Sequence, residues 1–334
     1  MKAAVQYGLR DIRVEEVETP KLAPGEVLLR VRACGICGTD LHQYKLNMYP
    51  ELGIPAGAGI ILGHEFSGEV AQLGDGVEGL KVGDRVISSA RGGNAEYIRI
   101  PAASRPLIIP FPDSMSFEEA ATNEPLAGAL HSVNLANPKD DETIVVLGMG
   151  LIGMGVLQVL KAVCKARIVA VDVSEKRLNM AKQIGADIVV DAGKINPYEY
   201  MLKMTGSTKI PYLEYPVSGV DTVFDCAGQS ADTKGQPPLW QAWQMVKQNG
   251  KVVEVALFEK SCNLDLNIIT RKGICLFGSW AWSTQEFSSA LELIKTGKVD
   301  RKPLITHTFP LDEAKQAYET QLNSREAIKV VITP

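Results

Sequence analysis

The alternation that begins at residue 143 constrains the fold of this chain more than any other feature. Short runs rich in β-branched residues, such as TIVVLG, RIVAVDV, VDTVFDCAG and KVVEVAL, alternate with longer amphipathic segments such as LIGMGVLQVLKAVCK and EKRLNMAKQI. Buried β-branched strands between amphipathic helices are typical of a parallel, doubly wound sheet. The sequence therefore predicts an α/β domain in this part of the chain.

The first hundred residues have a different pattern of apolar and turn-forming residues. Short runs of alternating apolar residues are separated by turn signals, including PG at 24–25, GDG at 74–76 and GGN at 92–94. This pattern predicts a barrel-like or sandwich β region. Near residue 115 the segment MSFEEAATNEPLAGALHSVNLA predicts a helix capped by Ser114 or Ser116, and the tail predicts helix, helix and strand. A length of 334 residues fits about two domains.

Composition and charge exclude several classes of function. The 35 basic and 39 acidic side chains give a formal charge of −4, and no basic run interrupts this balance, so neither nucleic acid nor an anionic membrane is an expected partner. The N-terminal segment resembles no signal or transit peptide, and no apolar run reaches the length of a membrane span. We expect a cytoplasmic protein. Six cysteines are too few for a disulfide scaffold, and a close pair in a reducing compartment is more often metal-binding or catalytic.

A glycine-rich loop follows the first strand of the α/β region. The run VVLGMGLIG contains the pattern G-x-G-x-x-G and opens a helix, which is the context that a dinucleotide-binding loop requires. The first glycine permits the tight turn, the second lets the backbone approach a pyrophosphate, and the third lets helix and strand pack closely. A glycine-rich turn without a ligand is the alternative. The predicted contacts are Gly148, Gly150, Leu151, Ile152 and Gly153.

An acidic residue ends the next strand. Asp172 lies 24 residues after Gly148, where a carboxylate binds the ribose 2′-hydroxyl and repels a 2′-phosphate. The sequence therefore predicts NAD over NADP, although the nearby Arg177 weakens that preference. Further cofactor contacts are expected at the carboxyl ends of later strands. These residues are Cys226, Ala227, Val255, Ala256, Leu257, Phe277, Gly278 and Ser279. Lys329 either reaches the pyrophosphate or lies exposed.

Three separate stretches supply groups of the kind found at catalytic metal sites. ACGICGTDLH carries a thiol, a hydroxyl, a carboxylate and an imidazole, LGHEF adds an imidazole and a carboxylate, and NEPL adds a carboxylate at a helix start. A Cys, His and Glu set with an open fourth position is typical of catalytic rather than structural zinc. Singly, such residues are more often core or surface positions. The candidate residues are Cys37, Thr39, His42, His64, Glu65 and Glu124.

Together these motifs resemble the zinc-dependent alcohol dehydrogenases of the medium-chain dehydrogenase/reductase family. CGICGTDLH, LGHEFSGEV, GLKVGDRV, EPLAGALHSV and the glycine-rich loop with Asp172 occur in the family's order over essentially the whole chain. Within the family, the motifs CGTDLH and EPLA most resemble those of the polyol dehydrogenases (sorbitol and 2,3-butanediol types) and of threonine dehydrogenase. The resemblance implies a GroES-like β-barrel catalytic domain over 1–127 and 279–334, and a Rossmann domain over 128–278.

The resemblance also implies roles for the candidate residues. Cys37 and His64 match zinc ligands, and Glu124 matches a position that carries Glu in polyol-type members. Glu65 matches the acid that takes or approaches the metal, so which glutamate binds resting zinc stays open. Thr39 and His42 match a proton relay that runs through a cofactor ribose hydroxyl. Asp40 is expected to hold a loop or a ligand in place, and Cys34 is expected to be core packing. The implied activity is oxidation of a secondary alcohol or polyol to a ketone, or the reverse, by hydride transfer to NAD.

Two departures from the family pattern are informative. No cysteine lies between Cys37 and Cys164, so the lobe that binds a structural zinc in most members is deleted and one zinc per subunit is predicted. Segments near 206–219 and 229–240 are longer than usual and are expected at the surface or an interface. The family forms dimers and tetramers through the strand at GICLFGS, so we expect a homo-oligomer, with a tetramer favoured over a dimer.

Other functions stay open at this point. A threonine-type enzyme needs a counter-charge for its substrate carboxylate, for which Arg91 is a candidate. A larger, CoA-linked hydroxy substrate needs a wide pocket, which the four tryptophans (Trp240, Trp243, Trp280 and Trp282) could line. A zinc-free quinone or enoyl reductase is disfavoured by the intact ligand set. A non-catalytic NAD-binding protein would bind NADH without turnover.

Overall fold

A computed structural model describes residues 1–47, 59–230, 236–324 and 326–334. The chain forms two compact units, one of Met1–Ala127 with Thr284–Pro334 and the other of Gly128–Ser283. The sequence predicts that the chain returns to the first domain at residue 279. In the structure, the first unit resumes at Thr284. Within the described ranges, no helix is long and apolar enough to cross a membrane.

The elements are numbered in chain order. The strands are β1 (Lys2–Gly8), β2 (Asp11–Glu16), β3 (Val27–Gly35), β4 (Ile60–Ile61), β5 (Glu65–Leu73), β6 (Arg85–Ser88), β7 (Tyr97–Ile100), β8 (Ile109–Pro110), β9 (Thr143–Leu147), β10 (Arg167–Asp172), β11 (Ile188–Asp191), β12 (Ser207–Thr208), β13 (Val217–Ser218), β14 (Val220–Asp225), β15 (Val246–Glu254), β16 (Cys275–Gly278), β17 (Ile305–Pro310) and β18 (Lys329–Thr333). The α-helices are α1 (Gly38–Leu46), α2 (Phe117–Ala121), α3 (Asn123–Ala136), α4 (Leu151–Val163), α5 (Glu175–Ile184), α6 (Pro197–Thr205), α7 (Pro238–Met245), α8 (Asn267–Lys272), α9 (Thr284–Lys295) and α10 (Ala314–Asn323).

The first unit is built on two mainly antiparallel sheets, as its alternating apolar pattern predicts. A three-stranded sheet has the order β2-β1-β4, and a seven-stranded sheet has the order β17-β18-β3-β5-β6-β8 with β7 also paired to β3. The pairs within these sheets are antiparallel except for β17 with β18. Apolar side chains such as Leu29, Phe66 and Ile100 fill the core between them. These features agree with the predicted GroES-like β domain.

The pairing of β3 with β5 brings two of the chemistry-bearing stretches together. The strands are antiparallel, so the end of β3 lies beside the start of β5, and Gly35 pairs with Glu65. Strand β18 flanks β3 on its other side, with Val331 opposite Gly35. A side chain at residue 35 has no room, because its Cβ would lie 2.4 Å from Cε of Lys329 and 2.6 Å from Oε2 of Glu65. A side chain at residue 35 would therefore displace the ends of the Lys329 and Glu65 side chains, and glycine leaves room for both.

The helix predicted after residue 115 is two helices. Ser116 caps α2, because its hydroxyl accepts a hydrogen bond from the Glu119 N–H at 3.1 Å; Ser114 is not the cap. Thr122 ends α2, and α3 begins at the next residue. This break places Glu124 in the first turn of a separate helix.

The second unit contains a six-stranded parallel sheet with the order β11-β10-β9-β14-β15-β16. The chain runs outward from β9 through β10 to β11 and then returns to β14 on the other side of β9. This reversal is the position at which doubly wound sheets bind ligands beyond the carboxyl ends of their strands. The predicted Rossmann-type α/β architecture is confirmed.

The two segments expected as insertions differ from each other. In residues 206–219, β12 and β13 form a small antiparallel pair, and Tyr212 is 89% exposed, as a surface insertion should be. Helix α7, at the end of the second segment, instead buries Leu239 and Trp243 against the parallel sheet. Residues 231–235 of that segment lie outside the described residues. Strand β17 and helix α6 were not predicted from the sequence.

Candidate functional site

Three donor groups in the first unit form a cluster of the kind that binds metal. The Cys37 thiol, a His64 ring nitrogen and a Glu65 carboxylate oxygen all lie within 4.8 Å of one another. Thiolate, imidazole and carboxylate are the zinc ligands of proteins, and three of them leave a fourth position open. Among the described residues, no other group of three such donors is found. The residues present therefore fit a metal ion such as zinc.

Asp40 links the two loops that carry these donors. One carboxylate oxygen accepts from the Cys37 N–H at 3.1 Å, and the other accepts from the Gly63 N–H at 3.3 Å and lies 3.5 Å from Nδ1 of His64. Burial alone would raise the pKa of Asp40, but His64 and the backbone donors hold that pKa below its usual value. A carboxylate on the free ring nitrogen orients a ligating imidazole and fixes its tautomer. The expected role of Asp40 as a supporting residue agrees with these contacts.

The protonation states of Cys37 and His64 respond to their surroundings. Burial and the Glu65 carboxylate raise the pKa of the Cys37 thiol, so a thiolate at this position requires a cation nearby. Burial alone would lower the pKa of His64, but the Asp40 carboxylate and the Cys37 sulfur together raise it well above its ordinary value. Both shifts indicate that the pocket favours a positive charge beside its sulfur and carboxylate groups.

Lys329 is the cation that pairs with Glu65. It is fully buried, its amino group forms an ion pair with Oε2 of Glu65, and the same amino group donates to the Ile36 carbonyl at 2.8 Å. The expectation of an exposed Lys329 is therefore wrong. The lysine lies in the mainly apolar run AIKVVIT, which includes strand β18. A charged residue within such a run could have indicated that the lysine is buried. A fully buried charged lysine needs an opposite charge or hydrogen-bond acceptors around its amino group.

Arg301 is a second buried cation in this unit. Its side chain is fully buried, and Nε donates to the Thr122 hydroxyl at 3.3 Å. Burial lowers the pKa of Arg301 to about 10, while the negative charge of Glu65 opposes that shift. Nothing in the sequence around Arg301 identified it as part of this site.

Glu124 lies in the first turn of α3 and does not belong to the three-membered donor cluster. Its negative charge nevertheless raises the pKa of the Cys37 thiol, so it faces the same sulfur. The structure thus brings Cys37, His64 and Glu65 into one cluster. Glu124 lies outside it, near enough for its charge to act on the Cys37 thiol.

The two relay candidates lie on helix α1. The Thr39 hydroxyl is 3.6 Å from the Cys37 sulfur. His42 follows Thr39 by three residues on the same helix, a spacing that places two side chains on one helical face. The sequence motif therefore puts a hydroxyl beside the donor cluster and an imidazole further along the same face.

In the second unit, the glycine-rich loop has the conformation that a phosphate cradle needs. Gly148 has a positive φ of 86°, and a Cβ there would lie 2.8 Å from the backbone of Ala227. A Cβ on Gly153 would lie 1.9 Å from the Gly148 carbonyl oxygen, whereas Gly150, the residue before α4, faces open space. The first and third glycines serve packing, and the second leaves the N-terminus of α4 accessible. Backbone N–H groups at a helix N-terminus favour an anion.

Asp172 ends β10 beside this loop. Its carboxylate oxygens accept from the Met149 N–H at 2.6 Å and from the Ser174 N–H at 2.8 Å, and the residue is 8% exposed. Both contacts hold the carboxylate in a fixed orientation. Arg177 follows on α5, where its N–H donates to the Ser174 hydroxyl.

The remaining predicted cofactor contacts follow the carboxyl ends of neighbouring strands. The Cys226 N–H donates to the Leu147 carbonyl at 2.8 Å, and the Val255 N–H donates to the Asp225 carbonyl at 3.0 Å. The Ser279 hydroxyl lies 2.8 Å from that of Ser132. Strand ends β14, β15 and β16 are adjacent in the sheet, so these segments share one edge.

Comparisons with known proteins agree with this geometry. Residues 23–113 match the family model of the alcohol dehydrogenase GroES-like domain, and residues 152–296 match that of the zinc-binding dehydrogenases. The chain is 31% identical to a (R,R)-butanediol dehydrogenase of Bacillus subtilis, with 100% of both chains covered. It is 30% identical to a D-xylulose reductase of Saccharomyces cerevisiae, with 96% of this chain and 94% of the relative covered. The crystal structure of 2R,3R-butanediol dehydrogenase from Bacillus subtilis superposes with a TM-score of 0.84, covering 100% of this chain and 99% of the other.

Proposed function

The chain belongs to the zinc-binding alcohol dehydrogenase family, and from that premise we propose that it oxidises a secondary alcohol of a diol or polyol to a ketone, with NAD as the hydride acceptor. The observation that carries this proposal is the Cys37, His64 and Glu65 cluster, braced by Asp40. The relatives named above act on a butanediol and on D-xylulose. Their names support a substrate with neighbouring hydroxyl groups.

Zinc held by this cluster would act as a Lewis acid that lowers the pKa of a substrate hydroxyl. Cys37 and His64 are proposed as permanent ligands, with Glu65 or Glu124 as the carboxylate. Asp40 keeps the His64 ring oriented. The Thr39 hydroxyl, close to the cluster, accepts the substrate's proton as it gives up its own, and the proton passed on leaves to solvent through His42, since an imidazole suits proton transfer near neutral pH.

One zinc ion per chain is part of the proposal. Strands β6 and β7 are joined directly by residues 89–96, which contain no cysteine. A structural zinc needs four closed ligands, commonly cysteines, and this connection supplies none of that type.

NAD rather than NADP is the proposed cofactor. Asp172 presents its negative charge at the end of β10, and its two backbone contacts prevent it from turning away. A 2′-phosphate would meet that charge, whereas a 2′-hydroxyl would donate to it. An Asp172→Asn variant should therefore weaken NAD binding and narrow the gap between the dissociation constants of NAD and NADP.

We propose a homo-oligomer that pairs through β16. Among the described residues, this strand has a neighbour, β15, on one side only; Leu276 within the strand is 42% exposed, and Trp280, two residues after its end, is 63% exposed. An unpaired apolar edge strand favours addition of another chain. A tetramer remains the preferred assembly, and a cytoplasmic location is proposed from the six free cysteines.

The alternatives have less support. Arg91, the candidate counter-charge for threonine, is exposed. Trp243 is a core residue of the parallel sheet and cannot line a pocket for a bulky CoA-linked substrate. An intact metal-type cluster disfavours a zinc-free reductase.

The test is a substrate panel with zinc-loaded protein and either NAD or NADP, following absorbance of the reduced cofactor. Diols, polyols, simple secondary alcohols and threonine form the arms. We expect the diol and polyol arms to be the most active, with loss of turnover after chelation and recovery on adding zinc. Highest activity with threonine would replace the proposed substrate class. NADH binding without turnover on any alcohol would indicate a non-catalytic protein.

A further inference from the structure

Two acidic residues occupy matching positions at the ends of neighbouring strands in the second unit. Asp225 ends β14 and Glu254 ends β15, and the two are directly opposite in the parallel register. In-register residues on adjacent strands project from the same face of a sheet. Asp225 is fully buried. The chain therefore places two carboxyl groups side by side where each would avoid the other if both were ionised.

The surroundings supply few donors to these groups. One oxygen of Asp225 accepts from the Ala227 and Gly228 N–H groups at 3.0 and 3.2 Å. The other oxygen of Asp225 and both oxygens of Glu254 are buried with no donor in good hydrogen-bonding geometry among the described residues, and the Ala256 N–H near Glu254 offsets only part of the effect of burial on the Glu254 pKa. No lysine or arginine in the described part of the chain forms an ion pair with either acid. A proton between the two carboxyl groups supplies the missing donor, as in other close carboxyl pairs.

The direction of both pKa shifts supports this sharing. Burial raises the pKa of Asp225, and burial together with the Asp225 charge raises the pKa of Glu254. Holding one proton, the pair carries one negative charge rather than two. The Cys226 thiol is the neighbouring titratable group, and burial followed by the two acids raises its pKa well above the ordinary value, so it stays neutral.

The pair lies directly beneath the segments proposed to contact the cofactor. Cys226, Ala227 and Gly228 follow Asp225, and Val255 follows Glu254. The Ser279 N–H also donates to the Glu254 carbonyl at 2.8 Å, which ties the end of β16 to the same point. Ligands of doubly wound sheets bind at this edge.

We propose that the Asp225–Glu254 pair raises the affinity of this protein for the oxidised cofactor relative to the reduced one. This inference rests on the proposed dinucleotide binding at the strand ends. The nicotinamide ring is positively charged when oxidised and neutral when reduced. A single buried negative charge below the ring stabilises the oxidised form selectively, since Coulomb interactions are strengthened away from water. Asp225 and Glu254 are positioning residues in this account, because they act on the ring through charge and not by contact.

Variants that change the number of charges test the inference. Glu254→Gln keeps one carboxylate, on Asp225, and its amide N–H replaces the shared proton. The double variant Asp225→Asn with Glu254→Gln is neutral. In Glu254→Lys, the lysine forms an ion pair with Asp225, so the pair again has no net charge. This variant replaces the double variant in the experiment if the double variant fails to fold. Dissociation constants of NAD⁺ and NADH are measured separately by titration calorimetry on the zinc-loaded protein.

We expect Glu254→Gln to keep the wild-type ratio of the two constants within about twofold. Either neutral variant should weaken NAD⁺ relative to NADH by about tenfold, as expected for removal of one nearby buried charge. Unchanged ratios in a folded neutral variant, with both cofactors still binding, would overturn the inference and leave the proposed function intact. Absence of binding of either cofactor to the wild-type protein would instead refute the proposed function.

Discussion

The metal-type cluster of the first unit and the strand edge of the second unit treat buried charge in opposite ways. In the first unit, acids are matched with cations, as Glu65 with Lys329 and Asp40 with His64. In the second, Asp172 is held by backbone N–H groups, and Asp225 faces another acid. Ionic pairing in the first unit limits the negative charge around a dication. The second unit leaves negative charge where a sugar hydroxyl or a positively charged ring would meet it.

The difference shows how each site is prepared for its ligand. A dication binds a thiolate, an imidazole and a carboxylate strongly, so excess negative charge is unnecessary, and Lys329 offsets the charge of Glu65. A dinucleotide is bound mainly by backbone groups and a few exactly placed acids. Four variants probe this contrast.

Removal of the thiolate should have the largest effect on the first unit. In Cys37→Ser, we expect zinc content to fall close to zero and turnover to fall by about a thousandfold or more, because the hydroxyl is a poor zinc ligand. Elemental analysis and steady-state kinetics give the two readouts. Cys34→Ala is the matched control, since Cys34 is also buried but lies outside the donor cluster. Retention of zinc by Cys37→Ser would show that the cluster is not the metal site.

Loss of the buried cation should come next. Lys329→Met leaves the Glu65 carboxylate buried without its ion-pair partner, and the free energy of unfolding of the metal-free protein should fall by about 3 kcal/mol. Urea denaturation measures this change. Adding Glu65→Gln to the same variant should restore most of the loss, because the carboxylate that lost its ion-pair partner is then removed as well.

Lys2→Met provides the surface control for Lys329. Lys2 pairs with Asp312 in an exposed ion pair, and exposed pairs contribute little. Equal losses in Lys2→Met and Lys329→Met would contradict the contrast between paired burial and surface charge.

Removal of the hydroxyl beside the cluster should affect chemistry but not binding. Thr39→Ala should lower turnover by about a hundredfold, the usual scale for a lost proton-transfer group, with zinc content and NADH affinity unchanged. Thr39→Ser retains the hydroxyl and should keep most of the activity. Wild-type turnover in Thr39→Ala would remove Thr39 from the proposed relay.

The smallest effect should appear in the acid pair of the second unit. The folded-state pKa of Glu254 is raised, so its favourable contribution to stability is complete below the unfolded pKa of about 4.3 and is lost as pH rises toward the folded value. Glu254→Gln has no proton to lose. Its melting temperature should therefore rise relative to wild type by a few degrees as pH increases from mildly acidic to alkaline. Parallel pH dependences of the two melting temperatures would show that Glu254 does not share a proton in the folded protein.

Local patterns made much of the fold predictable from the sequence. The alternation after residue 143, the glycine-rich loop and Asp172 at a strand end all depend on neighbouring residues, and the parallel sheet follows them. The donor set could be proposed because each stretch carries its own motif. The antiparallel pairing of β3 with β5, which brings Cys37 to His64 and Glu65, joins strands that are separated in the sequence by α1 and β4, and it was not predicted.

Features that depend on distant partners could not be predicted. Lys329 is separated by 264 residues from Glu65, so the sequence alone did not predict that Lys329 is buried as its partner. Glu254 belongs to the predicted strand KVVEVAL, but only the register of that strand with β14 shows that Glu254 and Asp225 are side by side. Trp243 was a candidate for lining a wide pocket, but α7 packs it into the core. In each case the tertiary pairing, and not the local propensity, decided the environment.

The measurement that tests the central claim most directly is the zinc content of the purified wild-type protein by elemental analysis. The account predicts one zinc ion per chain, held by the cluster of Cys37, His64 and a glutamate. Two ions per chain would contradict the loss of the structural site, and a metal-free protein that zinc fails to reload would contradict the catalytic site itself.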